Sequence, residues 1–272
     1  MEGSGPKSAR AKKRTVSIKS EKDVAKMRRA GRIVAFTLER LGKAALPGVK
    51  TIELDRMGAE AIRSFGAEPT FYKLYGYPAH ICISVNEEVV HGIPGERALK
   101  EGDIVSFDVG ATAEGMIADA ATTVGVGEIS AEARRLLRVT QEALAAGLAQ
   151  ARSGNRVSDI SAAVQRHVEA HGFSVVRQLV GHGVGYEAHE PPQVPNFVDD
   201  GPDGSVVLRP GMTLAVEPMV NQGGYEVVQE ADGWTYRTED GSLSAHFEHT
   251  MVITEEGCEV LTCRGAAEQS RG

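Results

Sequence analysis

The feature that most constrains this chain is that it repeats itself. Gly48 and Gly66 lie eighteen residues apart around a stretch with helical spacing, and Gly154 and Gly172 do the same. Farther on, Gly102-Asp103-Ile104-Val105-Ser106-Phe107-Asp108 aligns with Gly211-Met212-Thr213-Leu214-Ala215-Val216-Glu217. Each run is a glycine, an apolar strand, then an acid six positions after the glycine. The offsets, 106 and 109, agree on one duplication. It implies an α+β fold of two pseudo-symmetric halves, each of helices and antiparallel strands, with a central cleft at the join. We expect one domain over residues 16–272, preceded by a disordered basic arm at 1–15.

Four helices are predicted. The first starts at Ser20, an N-cap with Asp23 three residues on, and continues through Val24, Met27, Val34, Leu38 and Leu41. The others run from about Thr51 to Gly66, Ser130 to Ala151 and Ser158 to His171. Strands are predicted at Ile81–Val90, Ile104–Val109, Thr122–Val126, Thr213–Val220, Glu226–Gln229 and Phe247–Ile253.

The duplication puts Asp108 and Glu217 at equivalent strand ends. Asp108 and Asp119 are centred on Ala113-Glu114 beside Gly115, a plausible turn. Glu217 and Glu248 are centred on Asp232-Gly233, a strong hairpin signal. Directly opposed residues have Cβ atoms roughly 5 Å apart, so each hairpin would pair two carboxylates. Four clustered carboxylates repel one another unless cations neutralise them, and two divalent ions would balance them. The bland alternative is four separate solvated acids.

Three histidines sit beside glycine or proline. His182 lies in Gly181-His182-Gly183-Val184-Gly185, His189 in Ala188-His189-Glu190-Pro191, and His91 in Val90-His91-Gly92-Ile93-Pro94. A lone histidine is usually structural, but these accompany paired carboxylates. Four carboxylates and an imidazole, without thiolate, suit a hydrolytic site for cobalt, manganese, iron or zinc rather than a structural zinc. Cys82, Cys258 and Cys263 lack a metal-binding spacing and read as buried small apolar residues; their odd number fits a reducing compartment. There is no P-loop, no nucleophile elbow, and no βαβ context for a dinucleotide fingerprint.

Charge narrows the partners. The whole chain carries 37 acids and 30 bases, net −7, but residues 1–32 hold eleven Lys or Arg against three acids. That segment is +8 and the remainder −15. The balance excludes a wholly basic nucleic-acid binder, so no specific DNA partner is expected. The basic arm reads as a solvated tail or as a contact to polyanionic RNA. No apolar run reaches a membrane span and no secretory signal is visible, so a cytoplasmic protein is expected.

Six motifs carry a close resemblance: Cys82-Ile83-Ser84-Val85-Asn86-Glu87, Val90-His91-Gly92-Ile93-Pro94, Asp108 with Asp119, Gly181-His182-Gly183-Val184-Gly185, Glu217-Pro218-Met219-Val220 and Glu248-His249-Thr250. In order and spacing the chain resembles the type I, bacterial-type methionine aminopeptidases of the pita-bread metallopeptidase fold, over roughly residues 16–262. The resemblance implies that Asp108, Asp119, His182, Glu217 and Glu248 bind two divalent ions, with Asp108 and Glu248 bridging. It implies Glu217 as general base, His189 as a stabiliser of the tetrahedral intermediate, and His91 near the scissile nitrogen. Tyr77, Cys82 and Trp234 would line the methionine slot. Phe71 stands where a cysteine is common, and Ala188 where Phe or Met is common. Asn86 and Ser244 match positions near a monovalent-cation site in some members. The implied substrates are N-terminal methionyl peptides and nascent chains with a small penultimate residue, and the arm would touch the ribosome. The same fold also hosts X-Pro aminopeptidases and dipeptidases, which usually carry an extra N-terminal domain, and non-catalytic ribosome-associated proteins, which have typically lost ligands.

Overall fold

The computed structural model describes residues 15–72, 74–199 and 201–263; the basic arm therefore lies, but for Thr15, outside the described residues. Four α-helices are found among them: α1 Glu21–Ala44, α2 Thr51–Ser64, α3 Ala131–Leu148 and α4 Val157–Ala170. All four match the sequence expectation to within three residues at each end. Ser20 caps α1 as predicted: its hydroxyl accepts the Asp23 N–H and the Asp23 carboxylate accepts the Ser20 N–H.

The duplication holds down to individual bonds. The Gly48 N–H donates to the Leu99 carbonyl at 2.7 Å, and the Gly154 N–H donates to Leu208 at 3.0 Å. Both glycines have φ near +90°, a region that strains any other residue. Glu53 accepts the Lys50 N–H at the start of α2, and Asp159 accepts the Arg156 N–H at the start of α4. Each half buries its own apolar core, one around Leu41, Leu54 and Phe107, the other around Leu136, Ile160 and Leu214.

In the first half, strand Ile104–Ala113 pairs with Met116–Gly125, Cys82–Val85 and Glu68–Pro69, and α1 packs on the first two. Glu114 and Gly115 make the turn, both with positive φ, the mirror-image geometry that suits a two-residue hairpin. This turn corrects the predicted register. Asp108 lies opposite Ala121, and Asp119 opposite Gly110. The two acids are diagonal neighbours on one face rather than a directly opposed pair, because the turn is centred one residue later than the sequence suggested.

The second half contains the other expected hairpin, and its register is the predicted one. Thr213 pairs with Val252, Val216 with His249, Met219 with His246, and Val227 with Thr238. One register thus runs along an interrupted ribbon that folds back at Asp232-Gly233, and it sets Glu217 opposite Glu248.

Several predicted strands are broken. Ile81–Val90 splits into Cys82–Val85 and Glu88–Val90 because Asn86, at φ 61°, starts a turn. Thr213–Val220 splits around Glu217-Pro218, where proline cannot donate to the ladder. Phe247–Ile253 becomes Ser244–His246 and His249–Ile253. Strands Gly181–Gly183 and Glu190–Val194, rich in glycine and proline, were not expected. Cys82 is buried as expected, but Cys258 is half-buried and Cys263 exposed.

The halves join along the two hairpins. The Glu248 N–H donates to the Ala121 carbonyl, the Asp119 N–H to Thr250 Oγ1, and the His246 N–H to Thr123 Oγ1. These three bonds lay Met116–Gly125 antiparallel against residues 246–250 and bring Asp119 beside Glu248.

Candidate metal centre

The ten residues expected to bind metal, bind substrate or act in catalysis line one cleft at this join: Tyr77, Cys82, His91, Asp108, Asp119, His182, His189, Glu217, Trp234 and Glu248. Phe71, Leu74 and Tyr75 complete its wall. Ala188 is buried but is not part of that wall.

Five of the ten form a polar floor. Asp108 and Asp119 project from the first hairpin, Glu217 and Glu248 from the ribbon, and His182 from its short strand. His182 Nε2 is 3.4 Å from Glu217 Oε1 and 3.7 Å from Asp119 Oδ2. Asp119, His182 and Glu248 each place a donor atom within 4.8 Å of the others. His182 Nδ1 lies 2.9 Å from the Gly183 carbonyl, which can only accept, so in the neutral ring the proton is on Nδ1 and Nε2, facing the carboxylates, carries the lone pair.

Burial dominates the electrostatics. It pushes the Asp108 and Glu217 carboxyls up to about 8, with neighbouring carboxylates adding to it. Asp119 is raised, and Glu248 well above the usual carboxylate range, again mainly by burial. Asp108 Oδ1 is buried without a hydrogen-bond partner. Four carboxylates at one point, one oxygen orphaned, and a pre-set imidazole lone pair fit divalent cations by their donor chemistry.

The rest of the cleft is apolar or neutral. The Tyr77 and Trp234 rings meet edge to face at 5.2 Å. The Tyr77 hydroxyl donates to the Gly92 carbonyl at 2.8 Å, which turns its ring toward the cavity as hydrocarbon. Burial keeps the Cys82 thiol protonated. His189 packs against His182 and stacks on Tyr75. Burial lowers both His91 and His189 to about 4, so both rings are neutral near pH 7.

Two contributors escaped the sequence reading. His246 is buried, its Nε2 unpartnered and 3.6 Å from Glu217 Oε2. It is the repeat counterpart of Asp119: Asp119 pairs with Gly110, His246 with Met219, and Met219 follows Gly110 by the same 109 residues that separate the acids. The 109 offset alone leads from Asp119 to Val228, so His246 is found only once the register of both hairpins is known. Thr250 is the other; its hydroxyl lies 2.8 Å from Asp119 Oδ1 and orients that carboxylate. Asn86 and Ser244 do come together, the Ser244 N–H donating to the Asn86 carbonyl. The Asn86 side chain is engaged by Asp103 and the Ile104 N–H.

Residues 25–255 match the model of metallopeptidase family M24. The chain is 50% identical over 247 residues to the methionine aminopeptidase of Clostridium perfringens, covering 91% of this chain and 98% of that one. The crystal structure of the Thermotoga maritima methionine aminopeptidase superposes with a TM-score of 0.89 at 46% identity, over 92% of this chain and 100% of that one. The Xaa-Pro dipeptidase of Bacillus anthracis shares the fold, with a TM-score of 0.73 at 24% identity, but this chain covers only 62% of it. A floor of buried carboxylates at the join of two repeated halves and these likenesses agree: the chain belongs to metallopeptidase family M24, with the methionine aminopeptidases.

Proposed function

We infer that this enzyme hydrolyses the first peptide bond of chains that begin with methionine, releasing the initiator residue from peptides and nascent proteins with a small second residue. The observation that carries this reading is the shared cleft: one cavity joins five metal-type donors to a neutral apolar slot and two neutral histidines. The relatives named methionine aminopeptidases support it.

Asp108, Asp119, His182, Glu217 and Glu248 would hold two divalent ions, with Asp108 and Glu248 shared. Such ions lower the pKa of bound water and polarise the scissile carbonyl; aminopeptidases are a standard example of two-metal hydrolysis. The chain supplies the rest. Glu217 takes the nucleophile's proton on an oxygen and passes it toward the leaving amine. His189, neutral, offers a ring N–H to the oxygen on which charge develops. His91, also neutral, sits where it can hydrogen-bond the scissile nitrogen. Tyr77, Cys82, Trp234 and Phe71 receive an unbranched thioether side chain without offering it a charge. The free α-amino group is recognised at the carboxylate floor, which makes the reaction exopeptidic.

No helix among the described residues is long and apolar enough to cross a membrane; nascent chains place the work in the cytoplasm. The basic arm is assigned to ribosomal RNA on its charge. Deleting residues 1–14 is expected to weaken co-sedimentation with ribosomes at low salt, and unchanged co-sedimentation refutes that role.

The decisive assay is metal-dependent release of methionine from Met-Ala-Ser, abolished by Asp108→Ala. Cleavage of Ala-Pro without release from Met-Ala-Ser would favour the X-Pro reading, and no cleavage of either would favour a binding protein.

A further inference from the structure

A second cluster of metal-type donors lies away from the cleft, on the paired helices of the second half. His167 and His171 are four residues apart on one face at the end of α4, their ring centroids 4.5 Å apart. Glu142 reaches them from α3. Each of the three side chains puts one donor atom within 4.8 Å of the other two. We propose that Glu142, His167 and His171 form a peripheral site for a divalent transition ion, zinc in particular, completed by water.

Four observations carry this. The His171 Nδ1 lies 2.7 Å from the His167 carbonyl. That oxygen only accepts, so in the neutral ring the proton is on Nδ1 and Nε2 carries the lone pair that a cation would take. Ligating imidazoles are commonly oriented by just such a backbone bond. Next, His167 Nε2 and Glu142 Oε2 are 3.2 Å apart. Donors bound to zinc at 2.0–2.1 Å in a tetrahedron stand about 3.3 Å from one another, so this edge is already of coordination length. The remaining closure needs only rotation of partly exposed side chains. Third, Glu142 is held without being used up: Arg138 Nη1 contacts Oε1 at 3.0 Å and Oε2 at 3.3 Å, so it can keep Oε1 while Oε2 ligates. Finally, Arg135 on α3 donates to the His171 carbonyl, anchoring the end of α4 against its neighbour.

Two imidazoles and one carboxylate suit zinc, nickel or copper over magnesium or calcium. Three protein ligands with an open fourth position are also the arrangement in which zinc keeps an exchangeable water. Bound there, an ion would tie α3 to α4 across 25 residues of chain.

The test counts ions on the whole enzyme. Protein saturated with manganese is dialysed against micromolar zinc, and total divalent metal per chain is measured for wild type and His171→Ala treated identically. The wild type is expected to hold one more ion, and zinc-soaked wild-type crystals to show an anomalous peak among Glu142, His167 and His171. Both chains are expected to release methionine at equal rates. If His171→Ala loses helix content, His167→Asn gives the same comparison. Equal metal content in wild type and variant, or crystals without the peak, overturns the proposal.

Discussion

Removing the metal should make the protein's stability fall with rising pH in the range 7 to 8. In the metal-free fold Asp108 and Glu217 ionise only near 8, against ordinary values of 3.8 and 4.5. A carboxyl raised on folding holds its proton in the native state and loses it in the unfolded one. The native state then binds more protons, so stability declines as pH rises toward the folded value. Between pH 7 and 8 each such carboxyl loses about 1 kcal/mol, so the pair loses roughly 2 kcal/mol of a total of order 5–15. Asp119 and Glu248 act in the same direction. The buried histidines act oppositely: His91, His189 and His249 are lowered to about 4, so they add stability as pH rises through their unfolded value near 6.5. Above pH 7 both states hold them nearly neutral and their influence fades. Urea denaturation of chelator-treated protein should therefore give a midpoint that drops from pH 7 to 8. Metal-saturated protein, with its carboxylates ionised in the native state, should show little drop, and metal-free Asp108→Asn a smaller one. A metal-free midpoint that is flat, or that falls equally in Asp108→Asn, refutes the reasoning.

Other outcomes follow from single contacts. Glu217→Gln should lower kcat for Met-Ala-Ser by roughly 10²–10⁴, and a loss under tenfold would remove it from proton transfer. Lys19 and Glu190 form a buried ion pair at 2.6 Å next to His189, and burial holds the Lys19 amine below its ordinary range. Lys19→Met removes the counter-charge of Glu190, which keeps only the Ser17 hydroxyl and the Tyr186 and Glu187 N–H groups, and should destabilise by about 3 kcal/mol; a thermal midpoint unchanged from wild type would contradict this. At Gly31, an added Cβ would lie 2.1 Å from the Leu261 carbonyl oxygen, so backbone must shift. Gly31→Ala should cost about 1–3 kcal/mol in urea denaturation, and a neutral result would contradict the close approach of α1 to the Leu261 backbone.

Much of the fold was legible because repetition doubles every weak signal. Gly48 and Gly154, taken singly, are ordinary turn residues; taken as a pair at one offset they locate equivalent helix entries. The Glu217–Glu248 register could be read because Asp232-Gly233 is an unambiguous turn and the ribbon keeps one register through all its breaks. The Asp108–Asp119 register could not be settled that way. Glu114 offers no glycine-like signal, yet it shares the turn at φ 52° with Gly115. Strand ends were blurred where the site needs irregular backbone, as at Glu217-Pro218. Strand Gly181–Gly183 was missed because glycines that admit a close neighbour look like loop: a Cβ on Gly181 would lie 2.5 Å from the Ala215 carbonyl oxygen. The carboxylates and histidines of the cleft were found through motif and symmetry. His246 was not, because nothing around it in sequence differs from a core strand, and only its repeat partner Asp119 reveals it.

The central claim is that Asp108, Asp119, His182, Glu217 and Glu248 together hold two divalent ions in the cleft. Anomalous diffraction from crystals grown with manganese tests it most directly. Two peaks are predicted there, one in contact with Asp108, Asp119 and Glu248, the other with Asp108, His182, Glu217 and Glu248. A cleft without peaks in crystals that still release methionine would contradict the account.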